Sequence, residues 1–228
     1  MGIISNVLKF KRCYFPSRSN LGSAGKNAMI KKPTYIAFSK NLHMEENTVL
    51  NFGTVILNTE REHVYIKKYT VFSTCCKIVT NNHRSTVGIP QCLLGASHIN
   101  DSSRDIHIDE DVWVGINVTI LSGGDLGRGC IVGAGSVVTK PVPPYALVVG
   151  SPAKIVGVKF SIDQILEHEK LLYPENERFS KEYLEELFSQ YYEGKKVFGV
   201  QTELTEQDLI ALDKAKKQRQ FVEPNIND

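Results

Sequence analysis

The amino-acid sequence predicts a mainly β chain, in which short parallel strands wind into a coil of triangular cross-section and a helical appendage follows. Three observations carry this expectation. Aliphatic residues recur at every sixth position from Ile108 through Val114, Ile120, Leu126, Val132 and Val138. The same step appears upstream, broken by two insertions. After Lys159 the apolar spacing becomes helical. A period of six fits neither an α-helix, at 3.6, nor a long alternating strand, at 2.0. It fits a coil whose every side is a short strand plus a turn, with the aliphatic residue pointing inward. Such coils are stable only when stacked, because each buries its neighbour's interior.

Taken in order, residues 1–26 read as an N-terminal extension. Its opening lacks the long apolar core of a signal peptide and carries Lys9, Lys11 and Arg12. The coil is expected over 27–159. Phe38, Met44, Leu50 and Ile56 keep the six-residue step, with Leu42, Thr48 and Thr54 at the small-residue places. An insertion at 58–63 follows, and Ile66, Phe72 and Ile78 resume the step. Residues 79–107 break the pattern and read as an excursion loop, the kind of segment that carries function on a rigid scaffold. In the last block Val112, Val118, Gly124, Cys130 and Ser136 are slender enough for tight corners, and Gly115, Gly127 and Gly133 ease the turns.

Residues 160–228 form the helical region. Ser161 with Gln164 makes a capping box ahead of an apolar stripe at Ile162, Ile165, Leu166 and Leu172. Ser180 opens a second helix with Leu184, Leu187, Phe188 and Tyr191 on one face and Gly194 as its stop. Thr205 with Asp208 opens a third, which ends in Lys214, Lys216, Lys217 and Arg219. Residues 224–228 read as a frayed end.

Composition narrows the function. The chain has 228 residues, 42% hydrophobic and 23% charged, with a formal net charge of +2. That balance lacks the positive bias of a nucleic-acid binder. No run approaches the ~18 apolar residues of a membrane span. The five cysteines have no metal-ligand spacing and read as reduced packing residues of a cytoplasmic protein, with no metal expected.

His83 stands where the repeat breaks, directly after a regular coil, so a rigid backbone would present it to the excursion loop. Histidine is the natural proton acceptor near neutral pH. The plainer alternative is a surface loop histidine. The stretch 108–160, with DVWVGINVTI and VGAGSVVTKPVPPYALVVGSPAKIVG, resembles the hexapeptide-repeat acyltransferases. TNNHRST at 80–86 is similar to the Asn-His segment of their xenobiotic acetyltransferase branch.

The resemblance implies a left-handed parallel β-helix, an exception to right-handed crossovers, assembled as a homotrimer with active sites between subunits. It implies direct acetyl transfer from acetyl-CoA, with His83 as general base. From their positions, Asn82 would orient the imidazole or bind the acceptor, His98 would contact the acceptor or assist His83, and Trp113 would shield the thioester end of the substrate site or pack against a neighbouring subunit. Main-chain groups of Ile116 and Ala134 would meet the pantetheine arm, Thr139 and Lys140 the nucleotide end, and Lys154 the phosphates. Ile116 is larger than the family's usual residue there, and Ser122–Gly124 replaces its proline-glycine corner.

The acceptor is expected to be a sugar or polysaccharide hydroxyl, and the alternative is a xenobiotic such as an antibiotic. Weaker readings are a metal enzyme like the γ-class carbonic anhydrases, built on His63, His83 and His98, an inactive scaffold, and a nucleophilic Cys75 or Cys76.

Overall fold

Short strands with one inward side chain each can bury that side chain only by stacking on equivalents one turn away. The computed structural model, which describes residues 10, 11 and 13–226, shows that arrangement. The remaining residues of the 1–26 stretch, with Lys9 and Arg12, and residues 227–228 of the tail lie outside the described residues.

Successive strands fall in rotation on three sheets and pair in parallel one turn later. The first sheet holds Ser23–Ala24, Leu42–Met44, Val64–Ile66 and Ile106–Ile108. The second runs from Met29–Ile30 through Val49–Leu50, Val71–Phe72, Trp113–Val114 and Ile131–Val132 to Ala146–Val149. The third holds Tyr35–Ile36, Val55–Leu57, Lys77–Val79, Thr119–Leu121 and Val137–Val138. Register keeps like above like, so Leu50, Phe72, Val114 and Val132 form one inward column. All four are buried.

Two details of register depart from expectation. Phe38 does not point inward; it is 44% exposed. The turn Ser39–Asn41 lengthens that corner, so Ile36 takes the inward place and stacks on Ile56. Asn58 then brackets Phe38, accepting from its N–H at 3.0 Å and donating to its carbonyl at 2.9 Å. The coil also begins earlier than residue 27, since Ser23–Ala24 pairs with His43–Met44. At the far end of the excursion, His107 belongs to a strand and pairs with Tyr65.

The corner between the first and second sheets needs a left-handed residue in each turn. Asn27, Asn47, Tyr69 and Asp111 supply it with positive φ, and Gly129 continues the column at φ +70°. At Gly129 glycine is required twice over, because a Cβ would sit 2.5 Å from the Tyr145 ring.

Helix α1 Gln91–Ser97 lies in the excursion, and α2 Ile162–Leu172, α3 Lys181–Tyr191 and α4 Glu206–Arg219 follow the coil. α2, α3 and α4 start at Ser161, Ser180 and Thr205, each accepting a hydrogen bond from the backbone three residues on. The strand Lys154–Val158 turns back antiparallel on Ala146–Val149 and ends the parallel stacking. Lys196–Val197 then extends the same sheet by one strand.

A buried charge cluster fastens the helices to the coil. Arg128 donates to Glu110 at 3.1 Å, to Glu169 at 3.2 Å and to the Glu177 carbonyl at 2.8 Å. Its guanidinium lies 4.3 Å from the Tyr173 ring centroid and 4.6 Å from that of Phe179. Glu169 also accepts from the Tyr145 hydroxyl at 3.0 Å and the Phe179 N–H at 2.6 Å. Nearby, Asp111 accepts from Lys159 at 2.6 Å and pairs with His168 at 3.1 Å. Burial acts to raise the pKa of Glu110 and Asp111. Arg128 overcomes it at the first, His168 and Lys159 at the second, so both stay below the usual carboxylate range.

Two outcomes follow from this cluster. Arg128→Met strips the buried Glu169 of its cation and leaves Glu110 with Lys67 alone, and should cost about 3–5 kcal/mol in denaturant unfolding. Lys217→Met, which removes an exposed pair with Asp213, should cost about 1 kcal/mol or less. Because the folded-state pKa values of Glu110 and Asp111 are depressed, their stabilisation is complete above the unfolded values of about 4. It is lost as pH falls through the lower folded values. Melting temperature should therefore hold from neutral pH to about 5 and drop below about 4. Glu110→Gln should make that drop shallower.

Candidate active site

The excursion leaves the third sheet after Val79 and returns at Ile106, so it spans the corner between the third and first sheets. Its two ends are laced together. Ser102 N–H donates to the Asn82 carbonyl at 3.0 Å, Arg104 N–H to that of Thr80 at 3.3 Å, and Asn82 N–H to Ser103 Oγ at 3.4 Å. Inside the loop, α1 is anchored by the fully buried Leu94. His98 caps α1 in the left-handed region, and Asn100 adopts the same conformation two residues later. This double bend turns Asp101 back under the loop. Asn and His tolerate the left-handed region better than most side chains.

Asp101 joins the two histidines. Its Oδ1 lies 2.8 Å from His83 Nδ1 and its Oδ2 lies 2.8 Å from His98 Nδ1. The rings are 5.7 Å apart, centroid to centroid. A carboxylate only accepts, so both Nδ1 atoms carry the proton, and neutral His83 keeps its Nε2 lone pair free. The hydrogen bonds from His83, then His98, hold the Asp101 carboxyl below its ordinary range. His83 Nε2 points toward Gly95, 3.9 Å from where a Cβ there would stand. A glycine at that place leaves the ring nitrogen uncovered.

Asp101 is the residue that reading the sequence missed. No repeat or motif marks it, and only the double bend after α1 brings it to His83. Asn82 contributes main-chain closure, and its side chain is exposed. Its neighbour Asn81 instead has a buried Oδ1 with no partner among the described residues.

The other expected residues lie elsewhere on the coil. Trp113 is 51% exposed on the outside of the second sheet. Ile116 and Ala134 occupy adjacent turns between the second and third sheets, where Gly135 N–H donates to the Ile116 carbonyl at 2.8 Å. Thr139 and Lys140 follow the last strand of the third sheet, and Lys154 opens the antiparallel strand; all three are exposed. Among the described residues, no hydrogen bond, ion pair or ring contact joins these six to the histidine pair.

The three-histidine metal reading fails on geometry, and burial closes Cys76, though not the exposed Cys75, to the nucleophilic one. His63 does not converge with His83 and His98. Its Nδ1 lies 2.8 Å from His43 Nε2, within a stack that continues through Tyr65 to His107. The groups close enough to share an ion are His83, His98 and Asp101, and both Nδ1 atoms are already engaged with the carboxylate. A three-histidine zinc site is therefore not formed. Cys76 is buried against main-chain carbonyls, and burial pushes its thiol up to about 11, which keeps it protonated.

No family model matches the sequence. The galactoside O-acetyltransferase of Escherichia coli (strain K12) is 30% identical over 135 residues, 59% of this chain and 62% of that protein. Among solved structures, a hexapeptide-repeat-containing acetyltransferase from Vibrio cholerae superimposes with a TM-score of 0.59 at 25% identity. It covers 69% of this chain and 90% of its own. In sequence and in fold the chain is thus similar to hexapeptide-repeat acetyltransferases. Another structure of the Vibrio protein is complexed with acetyl coenzyme A. A maltose O-acetyltransferase from Clostridium difficile 630, also similar, gives a TM-score of 0.56 at 26% identity, over 63% of this chain and 73% of that one. The match spans about three fifths of the curated relatives' length.

The arrangement around Asp101 can be checked without measuring turnover. In imidazole 15N spectra His83 should show a protonated Nδ1 and an unprotonated Nε2 above its titration. Asp101→Ala should mix the two tautomers at both His83 and His98, while His63 keeps its signals.

Proposed function

We propose that this protein is an acetyl-CoA-dependent O-acetyltransferase acting on a sugar or polysaccharide hydroxyl, with His83 as general base. The observation that carries the reading is the Asp101-held imidazole, presented with a free Nε2 beside Gly95 on the coil's excursion loop. The galactoside and maltose O-acetyltransferases it is similar to support a sugar acceptor, and the acetyl coenzyme A complex of its Vibrio relative supports the donor.

In this reading the acceptor hydroxyl gives its proton to His83 Nε2 as its oxygen attacks the thioester carbon. The tetrahedral intermediate collapses, the C–S bond breaks, and the imidazolium returns the proton to the departing CoA sulfur. Asp101 fixes the tautomer and stabilises the imidazolium during the step. Ile116 and Ala134 would meet the pantetheine arm along their turn edges, Trp113 would cover the thioester end, and Thr139, Lys140 and Lys154 would meet the nucleotide and its phosphates. Asn82 and His98 would face the acceptor.

The turns of Ile116 and Ala134 and the loop of His83 sit at different corners of one coil. A left-handed β-helix assembled as a trimer would bring one subunit's donor edge to the next subunit's histidine, closing each site by symmetry.

Release of free CoA thiol from acetyl-CoA, followed across sugars and oligosaccharides, tests the reading. His83→Ala should lower turnover by about 100-fold or more. Asp101→Ala should lower kcat while leaving the KM for acetyl-CoA in place. Turnover that survives His83→Ala would overturn the assignment of the base.

A further inference from the structure

A large cavity lies away from the histidine loop, at the start of the coil. It encloses about 830 Å³ between the Arg18–Asn20 turn, the first strand of the second sheet and the end of α4. Five cations line it: Arg18, Lys26, Lys31, Lys32 and Arg219. Among the described residues no carboxylate lines it, although the chain carries 25 acidic residues against 27 basic ones. Among the described residues none of the five cations enters an ion pair, whereas Lys67, Lys68, Arg128 and Lys159 all do. This is a local segregation of charge on a nearly neutral protein, and like charges held together raise the affinity for an anion.

The rest of the lining narrows the ligand. Asn27, Gln218 and Gln220 add amides that can donate to and accept from hydroxyls. Met29–Ile30, also in the lining, is the terminal strand of its sheet, so among the described residues one edge of its main chain has no neighbouring strand. Among the described residues no aromatic side chain lines the cavity, so they offer no stacking platform of the kind a nucleobase would use. The volume suits a ligand of several sugar rings rather than a lone phosphate.

The walls come from opposite ends of the sequence and are tied together. Asn47 bonds the Val222 main chain at 2.8 and 3.0 Å, and Phe221 lies beside Tyr69 at 5.9 Å between ring centroids. Arg219 is thus held over the first coils although it follows Lys31 by most of the chain.

We propose that this cleft binds an acidic oligosaccharide, a hydroxyl-rich chain carrying carboxylate, phosphate or sulfate groups, as the remote part of the acceptor. The placement as acceptor rests on the sugar reading above; the binding itself does not. No residue of the 79–107 loop lines the cleft. It therefore holds the chain at a distance from the reacting hydroxyl, which favours long acidic acceptors over single sugars.

Equilibrium binding of oligogalacturonate to the full-length protein tests this, beside a neutral maltooligosaccharide of equal length and inorganic pyrophosphate. Oligogalacturonate should bind, weaken with added salt, and weaken about tenfold or more in the Lys31→Glu, Lys32→Glu double variant. Lys214→Glu, on the exposed side of α4, should leave binding unchanged, and unaltered melting of the double variant would show that its fold persists. Equal binding by the neutral chain, equally tight binding of pyrophosphate, or unaltered binding by the double variant would each overturn the proposal. Thiol release with a neutral sugar, run in parallel, separates the two readings. Transfer without oligogalacturonate binding sinks the cleft alone, and binding without any transfer sinks the catalytic reading alone.

Discussion

Everything in this molecule depends on one packing constraint. Each inward side chain of the coil must lie directly over its equivalent one turn away. An interior one side chain wide on each face has no second layer to make up for a lost contact. Ile78 touches the interior only because Ile56 and Ile120 lie on either side of it in register. Shifting any strand by one residue would turn its aliphatic side chain out to solvent and bring a polar one in.

That constraint decides where the chain can vary. Extra residues are admitted at corners, where they displace nothing inward, and not within strands. The Ser39–Asn41 turn, the 58–63 insertion and the long excursion all obey it. The excursion can therefore be as irregular as a binding loop requires, because both its ends are clamped by the strands Lys77–Val79 and Ile106–Ile108. The hydrogen bonds between its two limbs and the buried Leu94 carry that rigidity outward to His83.

The helical region meets a different requirement. Parallel stacking leaves an open end, and the antiparallel turn at Lys154–Val158 closes it. The charged cluster around Arg128 adds direction to that closure. Buried ion pairs gain little over apolar packing, but they tolerate only one arrangement of their partners. Arg128, Glu110 and Glu169 accordingly set the position of α2 on the corner column. The tail beyond α4 then returns along the same corner to Asn47, which brings cations from both ends of the chain to one cleft.

The coil and its helices were legible in the sequence because their signals are local. A six-residue step, a capping box and a change of period are each contained in a short window of residues. His83 was legible for the same reason, since it marks the place where a regular pattern stops. The slip at Phe38 was not, because two residues added at a corner keep the apolar pattern while moving its register. Asp101 was hidden more deeply. A carboxylate in a polar loop carries no pattern, and only the bends at His98 and Asn100 aim it between two imidazoles. The sequence by itself determined the fold class and the loop that carries the candidate base. The tertiary structure alone decided which carboxylate holds that base and which distant cations share a cleft. Hydrogen bonds and fields act through space, and the spacing of residues along a chain does not record them.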